Sequence, residues 1–367
     1  MNVSIVEDMT AFEALEGEWN SLLQQSSANT IFLTWEWISS WLEIYSSRYK
    51  LFVIVVRNDE NKLIGLAPLY ISNYKLLFMI KLRMLRILGD RDCGSEYPNW
   101  IALKDKEKAV YEIIAKALCE HEQKNKWDCI WIPNLSGWNG SYRNIVNACN
   151  RADMLVNQRE RQFGYFVLPA TYNEYEKSLS SNRRSQLRRQ RKKMFVDETI
   201  EIACCEDEKD LPIFLEWLFD LHHKRRLLVG DIGTFKRKPL QMKFYQSFTR
   251  KALQNNWLFI CVLKAQGTAK AIQLGYIYNN VYLQLQEGFE PDFLSGAGNV
   301  LRAENIRHYI EAGLSEYDFL EGYTEHKRRW LAEARTGYDL FLAKNTFINQ
   351  LIFNQDIWPT GRFLRPV

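Results

Sequence analysis

The chain has 367 residues, 47% of them hydrophobic, 25% charged and 14% aromatic, with a formal charge of only +4 at pH 7. This composition excludes global disorder, the length suffices for two domains with separate cores, and the small net charge confines any anion-binding role to local clusters. No apolar run of about 18 residues occurs, and residues 1–10 carry two acids and no basic stretch before an apolar run, so a cytoplasmic protein with no transmembrane segment is expected.

Along the chain, Phe12, Leu15, Trp19, Leu22 and Leu23 recur at helical spacing, and Thr34 is placed to cap a second helix carrying Trp37, Ile38, Trp41, Leu42 and Tyr45. The period then changes. Residues 51–57 and 63–72 are β-branched apolar runs joined by the polar turn 58–61, which reads as a hairpin, and 82–88 and 100–103 read as further strands. A helix at 109–118, a strand at 129–133, a helix at 142–149 and a strand at 163–168 complete the first half. The second half uses a similar vocabulary: helices at 211–223 and 240–253, then strands at 258–263 and 271–278. Asn279-Asn280 connects the latter to a strand at 281–289, followed by a helix at 299–312, a strand at 317–320, a helix from Thr324 and a strand at 338–343. Two α/β units of similar plan follow, an N-terminal one over 1–168 and a C-terminal one over 169–367.

Seven cysteines are scattered without metal-ligand spacing, and the five histidines form no HxxxH pattern. Buried reduced thiols and no metal centre are expected. Residues 183–193 hold seven cations in eleven positions. Such a helix is either a solvated face or a surface for anions, whether cofactor phosphates, nucleic acid or acidic lipid, with Arg184, Arg188 and Arg189 as candidate contacts.

The chemistry-bearing stretch is 271–330. Strand alternation puts Leu283, Leu285, Glu287 and Phe289 on one face, so Glu287 is either a desolvated carboxylate with raised pKa, suited to general-base work, or a solvated group past the buried part. Gly296, Ala297, Gly298, Asn299 and Val300 lead into a helix; this is either a backbone cradle for a pyrophosphate or a loop needing tight turns. Asp318, Glu321, Tyr323, His326 and Lys327 then converge at a strand-to-helix junction, where Asp318 either pairs with a cation or takes part in chemistry.

The stretch from Gly275 to Trp330, above all Asp318-Phe319-Leu320-Glu321-Gly322 through Lys327, resembles the CelD/BioF2-like family of GNAT acyltransferases. Phe32-Leu33-Thr34-Trp35-Glu36-Trp37 with Trp41, the basic 183–193 helix, and Leu221-His222-His223-Lys224-Arg225 followed by Gly230 and Phe235 extend the resemblance over most of the chain. The related Fem-type aminoacyltransferases share a tandem-GNAT plan. The implied class is α+β or α/β: tandem GNAT-like domains with mixed, mostly antiparallel sheets flanked by helices, the second carrying the active site.

The implied activity is transfer of an acyl group from a thioester, acyl-CoA or an acyl-carrier protein, to an amine or amino-sugar acceptor, often in cell-surface polysaccharide production. The matching phosphate loop is 296–300, which departs from the family's longer pattern in lacking a Gln or basic residue at its start. An alkylammonium has a pKa of about 10 and must lose a proton before attack. Glu287 and Glu321 are the base candidates, Asp318 an orienting carboxylate, Tyr323 or His326 a proton donor to the departing thiolate, and Lys327 a stabiliser of anionic charge. No cysteine lies in 271–330, so covalent thiol catalysis is not expected. The alternatives are an aminoacyl-tRNA-dependent transferase, with the basic helix on RNA, and a non-catalytic GNAT-like binding module.

Overall fold

The computed structural model describes residues 1–76, 80–90, 92–122, 126–196, 199–346, 349–350 and 364–366. The chain forms two compact units, Met1–Arg161 with Thr336–Val367, and Gln162–Arg335. The first contains β1 (Asn2–Val6), α1 (Met9–Glu13), α2 (Glu16–Gln24), α3 (Trp35–Tyr45), β2 (Lys50–Arg57), β3 (Leu63–Leu76), β4 (Ile80–Ile87), β5 (Ile101–Ala102), α4 (Glu107–Glu122), β6 (Cys129–Ser136) and α5 (Ser141–Arg151). The chain passes through β7 (Met154–Val167) into α6 (Tyr172–Ser178), α7 (Ser181–Met194), β8 (Ile200–Cys204), α8 (Leu211–Leu227), α9 (Thr234–Arg237) and α10 (Pro239–Gln254). Then follow β9 (Leu258–Ala265), β10 (Thr268–Tyr278), β11 (Val281–Phe289), α11 (Ala297–Glu311), β12 (Glu316–Glu321), α12 (Glu325–Arg328) and β13 (Glu333–Lys344).

Local chemistry accounts for most of these elements. The Thr34 hydroxyl accepts from the Trp37 amide at 3.2 Å and starts α3, whose apolar stripe is buried. Trp19, Trp37, Trp41, Trp100 and Trp127 are fully buried, so the aromatic surplus of the first unit serves packing. In the second unit Tyr282, Tyr309 and Tyr317 stack together between sheet and helix α11, with rings 4.2 to 5.9 Å apart. Strands β1 and β8 were not anticipated. Both are five-residue edge strands, too short for their alternation to stand out.

The strand orders of the two units follow one plan. In the first unit β1 to β4 form an antiparallel run, β4 pairs with β6 in parallel, and β13 closes antiparallel to β6. In the second β8 to β11 form an antiparallel run, β11 pairs with β12 in parallel, and β7 closes antiparallel to β12. The closing strand of the first unit is therefore drawn from the C-terminal end of the sequence. A linear split at 168/169 has no means of showing this, since the hydrophobic pattern of 338–343 reads as a strand but does not name its sheet.

The thiol expectation needs one correction: Cys204 and Cys261 are joined as a disulfide. They stand directly opposite on β8 and β9, a juxtaposition that 57 residues of sequence separation conceals. Cys93, Cys129, Cys149 and Cys205 are buried and outside any disulfide, as expected, and Cys119 is half-buried.

Helix α8 lies directly on β11. A Cβ at Gly288 would come within 2.4 Å of the His222 amide nitrogen and 2.5 Å of the Leu221 carbonyl carbon, both backbone atoms that cannot rotate away. Gly288→Ala is expected to lift α8 from the sheet and cost about 1–3 kcal/mol in chemical denaturation; an unchanged midpoint would show the contact to be looser than described.

Candidate functional site

The site begins as a break in the strand pairing of the second unit. Strands β11 and β12 pair over only three positions, Val281↔Glu316, Tyr282↔Tyr317 and Leu283↔Asp318, and share no further ladder pair among the described residues. Just beyond, the register of β10 on β11 shifts between Leu274 and Gly275, leaving Leu285 as an extra residue. A bulge of this kind inverts the side-chain parity of a strand. Tyr282 faces α11, stacking on Tyr309, whereas Gly288, of the same parity, faces α8. The simple alternation expected for 281–289 is thus corrected: Gln284 and Glu287 come to the same side, where the Gln284 amide donates to Glu287 at 3.1 Å.

Against the far part of β10 and β11 and the start of α11 lies a cavity of about 430 Å³ lined by Gln273, Glu287, Phe289, Gly298, Arg302 and His326 among others. Its floor at one end is the start of α11. Gly296 occupies the N-cap with φ +96°, in the left-handed region where only glycine sits without strain, and offers no side-chain cap. Among the described residues the amides of Gly298 and Asn299 have no hydrogen-bond partner, and the first turn carries no acid. Space above Gly298 is open, the nearest atom to a Cβ there being Phe289 Cδ1 at 3.8 Å. An uncapped helix start with bare amides beside a cavity has the donors and the dipole that suit an anion.

At the other side of the cavity lies a chain of charges. Arg302, on α11, is 3% exposed and donates to Glu287, while Arg225 at the end of α8 reaches the other carboxylate oxygen at 2.9 Å. Arg302 also lies 3.3 Å from His326 Nε2. Guanidinium has no acceptor, so this ring nitrogen must accept and the proton of neutral His326 sits on Nδ1. Burial alone would raise the Glu287 pKa, but the guanidinium charges of Arg302 and Arg225 outweigh it and hold the carboxyl down at about 2. Desolvation of the ring within the cluster, helped by the charge of Arg302, lowers His326 to about 4, although the residue as a whole stays exposed. The expected raised pKa of Glu287 is therefore corrected: the carboxylate is part of a salt-linked cluster and stays ionised.

The other anticipated residues divide clearly. Asp318 is buried, bonded to Arg335, and accepts the Leu320 amide at 2.8 Å, holding Leu320 at φ +61°. The Lys327 ammonium donates to the carbonyl oxygens of Phe319, Leu320 and Glu321 at 2.8, 3.2 and 2.5 Å, so it clamps the end of β12. Glu321 and Tyr323 are exposed and outside the cavity lining. On α7, Arg184 donates to the carbonyls of Glu176, Lys177 and Leu179 and closes the end of α6, and Arg188 pairs with Glu176 at 2.8 Å. Arg189 is exposed, with no partner among the described residues. Two α7 residues do reach the loop: Arg183, 4.2 Å over the Trp330 ring and 3.2 Å from Asn299 Oδ1, and Gln190, whose side-chain amide packs against Gly296.

Arg302, Arg225 and Gln273 were not anticipated. Gln273 is buried and accepts from Asn305 at 2.8 Å. The one available signal was Arg302 itself, a cation flanked by Leu301 and Ala303 in the apolar body of the helix. Among the described residues no cluster suited to a metal ion occurs, and no helix is long and apolar enough to cross a membrane.

Two outcomes follow from the cluster. Arg302→Met removes one partner of a buried pair and is expected to cost about 3–5 kcal/mol. Because the folded-state pKa of Glu287 lies below its ordinary value, its stabilising contribution is full above about pH 4.5 and is lost as pH falls toward 2. Glu287→Gln should therefore be less stable than the parent at pH 7, with the gap closing between pH 4.5 and 2 in urea titrations; a gap independent of pH would refute the assignment.

Residues 181–328 match the family model described as acetyltransferase (GNAT) domain. Among solved structures the chain is similar to FemX, with 11% identity, TM-score 0.60, and 96% of this chain and all of that one covered. It is also similar to L-PGS from Bacillus licheniformis, with 11% identity, TM-score 0.53, and 93% and 96% covered. A tandem GNAT protein from the clavulanic acid biosynthesis pathway gives 10% identity, TM-score 0.50, and 93% and 98% covered. No curated protein matches the chain at a significant level. The fold is a tandem GNAT fold of α+β class, with mixed sheets flanked by helices.

Proposed function

We propose that the second unit is an N-acyltransferase that moves an acyl group from a thioester to an amine, in line with the CelD/BioF2-like resemblance of its motifs. The observation that carries this reading is the cavity on β10 and β11, beyond the point where the β11–β12 ladder ends, with the bare start of α11 in its lining. A thioester carried on a phosphorylated arm, as in acyl-CoA or an acyl-carrier protein, suits that arrangement. When bound it would supply the activated acyl carbon, with its phosphates on the amides of 298 and 299 and Arg183 nearby.

In the reaction a C–N bond forms as the C–S bond breaks, and the proton released by the amine balances the departing thiolate. Glu287 is held anionic by two guanidinium groups and the Nε2 of His326 is occupied by Arg302, so neither is a free base poised near neutrality. The proton is best lost through water, which favours acceptors of modest basicity such as amino sugars and agrees with a role in polysaccharide production. The Arg302–His326–Glu287 cluster would position the acyl group and shape the field around it.

A second reading keeps the fold and takes the acyl group from aminoacyl-tRNA. Arg189, Lys192 and Lys193 favour it: they are exposed on α7 and have no acidic partner among the described residues. One experiment separates the two. Gly298→Glu puts a carboxylate into the cradle with its Cβ in open space, so it should abolish the thermal upshift given by coenzyme A thioesters while leaving the unliganded melting temperature at or above that of the parent. Charge reversal at Arg189, Lys192 and Lys193 should leave that upshift intact. If instead only tRNA binds, with steep salt dependence and sensitivity to the α7 reversals, the thioester reading fails.

A further inference from the structure

At the end of α8 the chain turns through residues 227–233 into α9, and the turn presents an unusual surface. Leu227, Leu228, Val229 and Ile232 are 52%, 60%, 70% and 50% exposed. Single exposed apolar residues need no explanation, but four within six positions form a patch that a solvated protein has reason to avoid.

The turn is not loose. Asp231 binds the guanidinium groups of Arg226 and Arg237 and accepts the Gly233 amide at 3.0 Å. His223 Nδ1 meets the Ile232 carbonyl at 2.8 Å, and the amides of Val229, Gly230 and Asp231 close back on Arg226 and Leu227. The four apolar side chains are thus held outward by a network that fixes the backbone.

Charge identifies what would cover them. Residues 224–243 contain seven cations, Lys224, Arg225, Arg226, Lys236, Arg237, Lys238 and Lys243, against the single acid Asp231, a net of +6. Lys224 and Arg225 pair with acids outside the segment, and Arg226 and Arg237 share Asp231. Lys236 and Lys243 are exposed and unpaired among the described residues. An apolar tip set in an excess of positive charge matches an anionic bilayer, whose headgroups take the cations while its acyl boundary takes the leucines; a purely apolar protein groove would not call for the charge.

We propose that residues 227–232 form a docking tip that inserts into the interfacial layer of an anionic phospholipid membrane, with Lys236 and Lys243 on the headgroups. Arg225, two residues before the tip, lines the cavity, so docking would bring one edge of the cavity beside the lipid surface.

The test is sedimentation of the full chain with phosphatidylcholine vesicles, with and without phosphatidylglycerol. Binding should require phosphatidylglycerol and weaken with salt. It should fall about ten-fold or more in Leu227→Ser/Leu228→Ser/Val229→Ser and in Lys236→Glu/Lys243→Glu, both melting like the parent. The serine variant leaves α7 untouched, so its loss of binding separates the tip from the basic helix. The proposal is overturned if the parent ignores phosphatidylglycerol vesicles, or if the serine variant binds them as the parent does. It is equally overturned if the tip proves to join two copies, seen as a parent dimer that the serine variant breaks without any vesicle binding.

Discussion

A guanidinium placed inside a helix that packs against a sheet has to be neutralised where it stands, because leaving it unpaired in a medium of low dielectric would cost more than the helix gains by packing. Arg302 meets that demand through Glu287 on β11 and through the His326 ring that follows β12. The constraint ties together three elements that the opened ladder no longer connects by backbone hydrogen bonds. Below the bulge, β11 and β12 are joined strand to strand; above it, Glu287 on β11 is tied through Arg302 on α11 to His326 on α12. The aromatic rings beside the cluster contribute as well, Arg302 lying 5.2 Å from the centre of Trp330.

Much of this architecture is legible in local pattern. The helices at α3, α8, α10 and α11, the β2–β3 hairpin and the meander from β9 to β11 all follow from periodicity and turn residues, and the bare glycine start of α11 is visible as Gly296 and Gly298. What stays hidden is whatever depends on partners distant in sequence. The bulge at Leu285 exists only relative to β10, so strict alternation misplaced the faces of β11 beyond it. Glu287 was visible as a carboxylate among apolar neighbours, but the direction of its pKa depends on Arg302 and Arg225, 15 residues ahead and 62 behind. Lys327 and Asp318 drew notice through charge; their partners make them braces of the β12 end, three carbonyls for one and Arg335 with a backbone amide for the other. In the same way the seven cations of 183–193 look uniform in sequence, yet they divide into internal braces such as Arg184, a loop contact in Arg183, and solvent-facing charges such as Arg189.

The two units share a strand plan, and their crossover helices differ at the start. In each, one helix links the strands of the parallel pair: α4 between β4 and β6, α11 between β11 and β12. Helix α4 opens with Glu107, a nearly buried carboxylate that accepts from Ser27 and from Asn144, the latter at 3.0 Å. An anion is therefore already built into the positive end of that helix, and a second one arriving from solution would meet repulsion in place of attraction. Helix α11 opens with glycine, alanine and glycine, has no acid in its first turn, and leaves two amides unengaged. The same fold thus satisfies one helix terminus internally and keeps the other open, and the difference lies in a few residues at the start of each helix, well within reach of ordinary sequence change.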